Sequence, residues 1–202
     1  MSEQVYCVPA ERLPSPQPEA LALTDNLYQL LVREGQFLTR DDVEEDPSWR
    51  QIIPYAVIQC EGQVLLVERL KAGSESRLHN KMSIGMGGHI NPQDHTEDNQ
   101  KTTPQKTAPE QDVLEAALVR ELREELVIGG FTFEAKALIH RSENAVEKVH
   151  TGLLYLVTVP EPVAVRETHK LEGHFVPFSD VGTHFERLEG WSQAAYQFLQ
   201  TT

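Results

Sequence analysis

Three glutamates in the middle of the chain carry its clearest chemistry. The run Arg120-Glu121-Leu122-Arg123-Glu124-Glu125 sets Glu121, Glu124 and Glu125 at i, i+3 and i+4. On a helix that spacing brings three carboxylates to one face. Like charges so placed repel by about 0.2–0.5 kcal/mol per pair, and the two nearest the helix C-terminus also oppose the macrodipole. Two readings follow. A hard divalent cation prefers carboxylate oxygen and would turn the repulsion into a grip; alternatively the face is solvated and Arg120 and Arg123 neutralise it.

The flanking residues predict the elements that would position this run. Val113, Leu114, Ala117, Leu118 and Leu122 recur with helical spacing, and Asp112 with Glu115 resembles a capping box. Upstream, Gly85-Met86-Gly87-Gly88-His89-Ile90-Asn91-Pro92 puts glycines where backbone can approach a ligand closely. Residues 95–111 between them hold two prolines and no large apolar side chain, which predicts a mobile loop. Runs 52–59 and 63–69 around Glu61-Gly62 predict a β-hairpin, and 131–140 and 150–159 two further strands. Short strands are expected near 5–8, 82–86, 163–165 and 175–178, helices over 21–32 and 191–199, and an acidic linker over 41–47. Strands, a strong helix, more strands and a last helix make a mixed sheet flanked by helices.

Composition bounds the function. The 202 residues suit one domain with an extension, and 40% hydrophobic with 24% charged residues is ordinary for a globular chain. Eighteen Lys and Arg against 31 Asp and Glu give a net charge of −13, which repels phosphate backbones and argues against general nucleic-acid binding. Small phosphorylated ligands stay open, because a bound divalent cation reverses the sign locally. Cys7 and Cys60 are too few for a disulfide framework or a cysteine-rich zinc site and read as buried hydrophobes. The longest apolar stretch, 153–159, is strand length, and the first residues lack a signal-peptide pattern, so a cytoplasmic protein with no membrane partner is expected.

The double glycine followed by Arg-Glu-Leu-x-Glu-Glu resembles the signature of the Nudix hydrolases: Gly, five residues, Glu, seven residues, then Arg-Glu-apolar-x-Glu-Glu-x-Gly-apolar. Gly88 takes the leading place, residues 120–125 match the second half without a gap, and Ile128 takes the closing apolar place. Three departures stand out. Gly88 and Arg120 are 32 positions apart, 18 more than the 14 of the family pattern. The first Glu is an Asp, either Asp94 counted from Gly88 or Asp112 counted back from Arg120, and Asp112 is preferred because it keeps register with the helix. Val127 replaces the closing Gly, with Gly129 two positions later.

The resemblance implies an α/β fold, a Nudix-like α/β/α sandwich with a mixed β-sheet, over 49–202, with 1–48 as an N-terminal extension. It implies hydrolysis at the pyrophosphate bond of a nucleoside di- or triphosphate or a nucleoside diphosphate derivative. Glu121, Glu124 and Glu125 would hold Mg²⁺ or Mn²⁺, the Gly87 carbonyl would add a ligand, and Arg120 would orient the carboxylates through an ion pair. A further carboxylate is expected before the strand at Phe175, with Glu172 favoured over Glu167 and over His174 as the water-activating group. Arg69, Arg77 and Lys81 flank the glycine segment and are the candidates for phosphate contact. Tyr55 and Phe175 are read as core rather than as base-stacking residues, and His79 and His89 show no zinc-ligand spacing. Two alternatives remain: an isopentenyl-diphosphate isomerase, which shares the fold but needs an acid–base cysteine that Cys60 does not match, and a nucleotide-binding module without turnover. The substrate class and oligomeric state stay open at this point.

Overall fold

The computed structural model describes residues 2–15, 17–69, 81–95, 112–166, 168 and 171–202. In chain order the elements are β1 (Gln4–Pro9), β2 (Ala20–Ala22), α1 (Asp25–Glu34), β3 (Gln36–Thr39), α2 (Arg40–Val43), β4 (Trp49–Cys60), β5 (Gln63–Arg69), β6 (Met82–Ser83), β7 (Gly85–Met86), α3 (Val113–Glu125), β8 (Leu126–Val127), β9 (Thr132–Ile139), α4 (Ala145–Val149), β10 (His150–Thr158), β11 (Ala164–Val165), β12 (Leu171–Pro177) and α5 (Gly190–Leu199). Short 3₁₀ stretches cover Pro92–His95 and Phe178–Arg187.

Among the described residues one ten-stranded sheet runs β12-β5-β4-β10-β9-β2, with β1 and β7 on β4, β3 on β1 and β6 on β5. The sheet is mixed: β4 and β10 run parallel and the other pairs antiparallel. The predicted hairpin forms at Glu61-Gly62, where both residues have positive φ, 48° and 78°, the backbone that a two-residue type I′ turn requires.

Alternation along β4 divides the interior in two. Ile52, Ala56 and Ile58 join a cluster that includes Leu114, Ala117, Leu118 and Leu122 of α3, Leu31 of α1 and Tyr155 of β10. Tyr55 and Val57 join a second cluster with Leu154 and with Ala194, Ala195 and Tyr196 of α5. Helices thus cover both faces, giving the expected α/β/α sandwich. Each fully buried Leu or Ile in these clusters contributes about 1.5–3 kcal/mol.

β1 pairs with β4 over Cys7–Pro9 and β2 with β9, so residues 2–48 supply strands to the central sheet. Tyr6, Val8 and Leu31 are buried in the same cluster as α3. The acidic stretch read as a linker is instead α2 and a turn, and Arg40 pairs with Glu3 and Glu44 there. The loop expected over 95–111 lies, except for His95, outside the described residues.

Candidate active site

The α3 helix forms where its apolar repeat predicts. Asp112 caps its N-terminus, accepting from the backbone N–H groups of Leu114 and Glu115 at 3.0 and 3.1 Å. The same oxygen accepts from the Tyr28 hydroxyl of α1 at 3.1 Å, tying the two helices. The far end turns into extended backbone at Leu126 without a glycine. Arg166 closes it, donating from Nε to the carbonyls of Arg123 and Leu126 and from its backbone N–H to Glu125 O. A cation there favours the helix dipole, which the two nearby glutamates oppose.

Arg120 is the hub of the carboxylates. Its Nε and Nη2 donate to the two oxygens of Asp94 at 2.7 and 3.0 Å, a bidentate fork. Its Nη1 donates to Glu121 at 2.7 Å and Glu124 at 3.1 Å, and Nη2 also reaches the His89 carbonyl at 2.8 Å. Asp94 therefore takes the place of the signature's first acid, and the preference for Asp112 is corrected: that residue is spent on the helix N-terminus and on Tyr28. The physical reason is local. Asn91-Pro92 opens a tight turn in which Asp94 N donates to Asn91 O and Asn91 N donates back to Asp94 Oδ2, both at 2.9 Å. The turn aims a fully buried carboxylate at Arg120, and the insertion falls after it, between the two halves of the signature.

The glycine segment presses on the site from the sheet side. A Cβ on Gly88 would lie 2.3 Å from Glu121 Oε1, and one on Gly87 would lie 1.8 Å from the Pro54 carbonyl. Glycine at these two positions lets the backbone pass between β4 and the Glu121 carboxylate.

Burial raises the Glu121 carboxyl above its ordinary range; Arg120 pulls it down, while Glu124 and Glu125 push it further up. Arg120 itself is raised, since the hydrogen bonds to Asp94 and Glu121 outweigh its burial. Among the described residues no three His, Cys, Asp or Glu side chains converge into a ready cation cage. The donor set nonetheless fits a hard divalent cation. It consists of carboxylate oxygens, their mutual repulsion is what such a cation relieves, and the missing Cβ of Gly88 is what lets the Glu121 carboxylate sit against the glycine segment.

Other predicted residues are not brought to α3. Along β12, Leu171 and Phe175 pack toward the α3 cluster while Val176 packs toward the α5 cluster. The alternation puts Glu172 and His174 on the α5 face, with Glu172 opposite Glu68 of β5. Lys81 also lies on that side, where Nζ donates to Glu186 O at 3.5 Å and the side chain lines an open cleft of about 520 Å³ with Tyr55 and Trp191. The Arg69 side chain, Arg77, His79 and Glu167 lie outside the described residues. Tyr55 belongs to the core, its hydroxyl bonded to Ser192 and Ser83 at 2.7 and 3.2 Å, and Cys60 is buried in the α3 cluster.

One further group left no local signal along the chain. His89 Nε2 lies 2.8 Å from Gln51 Oε1 and 3.2 Å from His150 Nε2, and His150 Nδ1 lies 2.7 Å from Val146 O. Burial, then the charge of Arg40, pushes His89 down to about 4; burial also lowers His150. Gln51, His89 and His150 are too far apart in sequence for any local motif; the β4–β10 pairing sets Gln51 beside His150, and His89 reaches both from the segment after β7.

Comparison with known proteins agrees with this frame. No family model matches the chain. Protein YmaB of Bacillus subtilis (strain 168) is 38% identical over 170 residues, spanning 81% of this chain and 77% of that protein. Tm1382, assigned to the Nudix hydrolases, has a crystal structure that aligns with a TM-score of 0.78 at 26% identity, over 98% of this chain and 99% of that one. DR0079 from Deinococcus radiodurans shares the fold, with a TM-score of 0.52 at 15% identity over 89% of this chain and 98% of its own. Both halves of the signature face each other across the Asp94–Arg120 pair, on a sandwich shared end to end with Tm1382, and the chain belongs to the Nudix hydrolase family.

Proposed function

We propose that the protein is a metal-dependent pyrophosphohydrolase that cleaves the phosphoanhydride of a small nucleoside diphosphate derivative. The observation that carries this reading is the Arg120 hub, which holds Asp94, Glu121, Glu124 and the His89 carbonyl in one cluster. Glu121, Glu124 and Glu125, with the Gly87 carbonyl, would hold Mg²⁺ or Mn²⁺. When bound, the cation supplies charge neutralisation for the diphosphate and lowers the pKa of the attacking water.

The chain's own residues position that chemistry. Arg120 keeps Glu121 and Glu124 oriented, and the buried Asp94 carboxylate prevents the guanidinium from swinging away. Gly87 and Gly88 let the backbone lie close enough to α3 for carbonyl and carboxylates to act together. Glu172 is given no part in water activation, because β12 presents it to the other face of the sheet.

The isomerase alternative asks for a cysteine that reaches substrate, whereas Cys60 is 2% exposed and faces the core. A module without turnover has no use for three repelling carboxylates on one helix face. The test is a panel of nucleoside di- and triphosphates, nucleotide sugars, ADP-ribose, dinucleoside polyphosphates and isopentenyl diphosphate with Mg²⁺ and Mn²⁺, read by phosphate release and product chromatography. Metal-dependent cleavage of at least one compound at a phosphoanhydride supports the reading; turnover of isopentenyl diphosphate instead replaces it.

A further inference from the structure

The hydrogen bonds around His89 have a fixed direction. A carbonyl only accepts, so His150 Nδ1 carries its ring's proton for Val146 O. In the neutral ring His150 Nε2 is then an acceptor. His89 Nε2 faces that atom and Gln51 Oε1, two acceptors, so it carries the His89 proton and donates to both. Gln51 in turn donates from Nε2 to Glu44 Oε2 at 3.4 Å. Gln51 and His150 are register partners on β4 and β10, so the atoms that accept the His89 N–H belong to two adjoining strands of the central sheet.

The backbone of the same residue reaches the catalytic helix. His89 O accepts from Arg120 Nη2 at 2.8 Å. The two preceding residues are glycines with no side chain to anchor them and no room for one. After Gly87, the first side chains that fix the segment are His89, held by Gln51 and His150, and Ile90, buried in the α3 cluster.

We propose that His89 is a positioning residue whose ring, clamped by Gln51 and His150, fixes both the Gly87 carbonyl and the Arg120 fork for the α3 carboxylates. The inference rests on the reading of α3 as the cation-binding helix. It assigns His150, Gln51 and through them β4 and β10 to the support of that site, much as outer partners hold the ligands of metal centres.

The test uses the full-length protein and Mn²⁺ as the probe, with binding followed by the electron paramagnetic resonance of free Mn²⁺ and hydrolysis followed separately. A glutamine amide places its nitrogen where His Nε2 sits, and an asparagine amide where Nδ1 sits. His89→Gln is therefore expected to bind Mn²⁺ within about threefold of the unaltered protein, while His89→Asn and His89→Phe bind about 10–100-fold more weakly, with parallel losses in kcat. Near-ultraviolet circular dichroism checks that each variant is folded. Should His89→Phe fail to fold, the Gln and Asn pair decides. Equal Mn²⁺ affinity in those two variants overturns the clamp. So does a nitrogen-15 spectrum in which His89 is protonated at Nδ1 or His150 at Nε2. The two readings separate through Glu124→Gln. Mn²⁺ binding that Glu124→Gln weakens and His89→Asn does not overturns the clamp alone. No Mn²⁺ binding by the unaltered protein overturns the assignment of α3.

Discussion

Asp94 and Arg120 meet through two parallel hydrogen bonds, Nε to Oδ1 at 2.7 Å and Nη2 to Oδ2 at 3.0 Å. The carboxylate is fully buried and the guanidinium largely so. Without Asp94 the guanidinium keeps Glu121, Glu124 and the His89 carbonyl, so the cost falls toward the lower end of the about 3–5 kcal/mol of a broken buried pair. Asp94→Ala is accordingly expected to destabilise the protein by that amount in urea unfolding. Asp112→Ala removes a helix cap and an acceptor for Tyr28, and is expected to cost about 1–2 kcal/mol. Equal costs for the two variants would contradict the assignment of Asp94 as the signature's acid.

Glu124→Gln and Glu125→Gln are each expected to lower kcat by at least about two orders of magnitude while leaving the melting temperature unchanged or slightly higher. The carboxylates repel one another on the bare helix by about 0.2–0.5 kcal/mol per pair, and that relief offsets the exposed Arg120–Glu124 ion pair that Glu124→Gln removes. Differential scanning fluorimetry without metal and steady-state kinetics with Mg²⁺ measure the two quantities. A pronounced drop in melting temperature would mean that the carboxylates hold the fold rather than the reaction.

Gly87→Ala and Gly88→Ala separate backbone clearance from carboxylate placement. A methyl added at Gly87 would collide with a backbone oxygen that cannot move without shifting β4, whereas one added at Gly88 would meet the end of the Glu121 side chain. Gly87→Ala is expected to cost more stability. Gly88→Ala is expected to keep most of its stability and lose activity, because the displaced carboxylate must break its bond to Arg120. The reverse order in thermal melts would contradict the packing described here.

His140 contributes to the pH dependence of stability, alongside His89 and His150, which burial lowers as well. Burial, assisted by the charge of Arg50, holds the pKa of His140 down at about 4, and its Nε2 is buried with no hydrogen-bond partner among the described residues. The unfolded chain takes up the proton near pH 6.5, the folded chain only near 4. Between these values the unfolded state binds more protons, so the stability His140 contributes is full above about 6.5 and is lost as pH falls toward 4. The loss from this residue at pH 4.5 is about 2–3 kcal/mol. Urea unfolding of His140→Asn at pH 7 and pH 4.5 should show a correspondingly smaller drop than the unaltered protein; an identical drop would remove His140 as a source.

Much of the site was legible along the chain, and what was not has physical causes. The α3 helix shows because its apolar repeat, its Asp112 cap and its carboxylate run all agree, and the hairpin shows because Glu61-Gly62 suits a turn with two positive φ values. The place of Asp94 was obscured because the insertion makes counting from either half of the signature give a different residue. The face that Glu172 occupies was not legible because a strand turns alternate side chains to opposite faces, and the parity of β12 follows from its register with β5 rather than from local sequence. β1 was recognisable as a strand, but its membership of the central sheet depends on pairing with the distant β4. The His89–Gln51–His150 group has the same character: strand pairing sets Gln51 beside His150, and His89 meets them from the segment after β7.

The most direct measurement is product analysis on the hydrolysed substrate of the nucleotide panel, with and without a chelator, for the unaltered protein and Glu125→Gln. Cleavage at the phosphoanhydride, releasing a nucleoside monophosphate or its counterpart, is predicted with Mg²⁺ or Mn²⁺ present. It is predicted to stop with the chelator and to fall at least about a hundredfold in Glu125→Gln. Hydrolysis that persists in the chelator, or that Glu125→Gln leaves intact, would contradict the placement of the chemistry on α3.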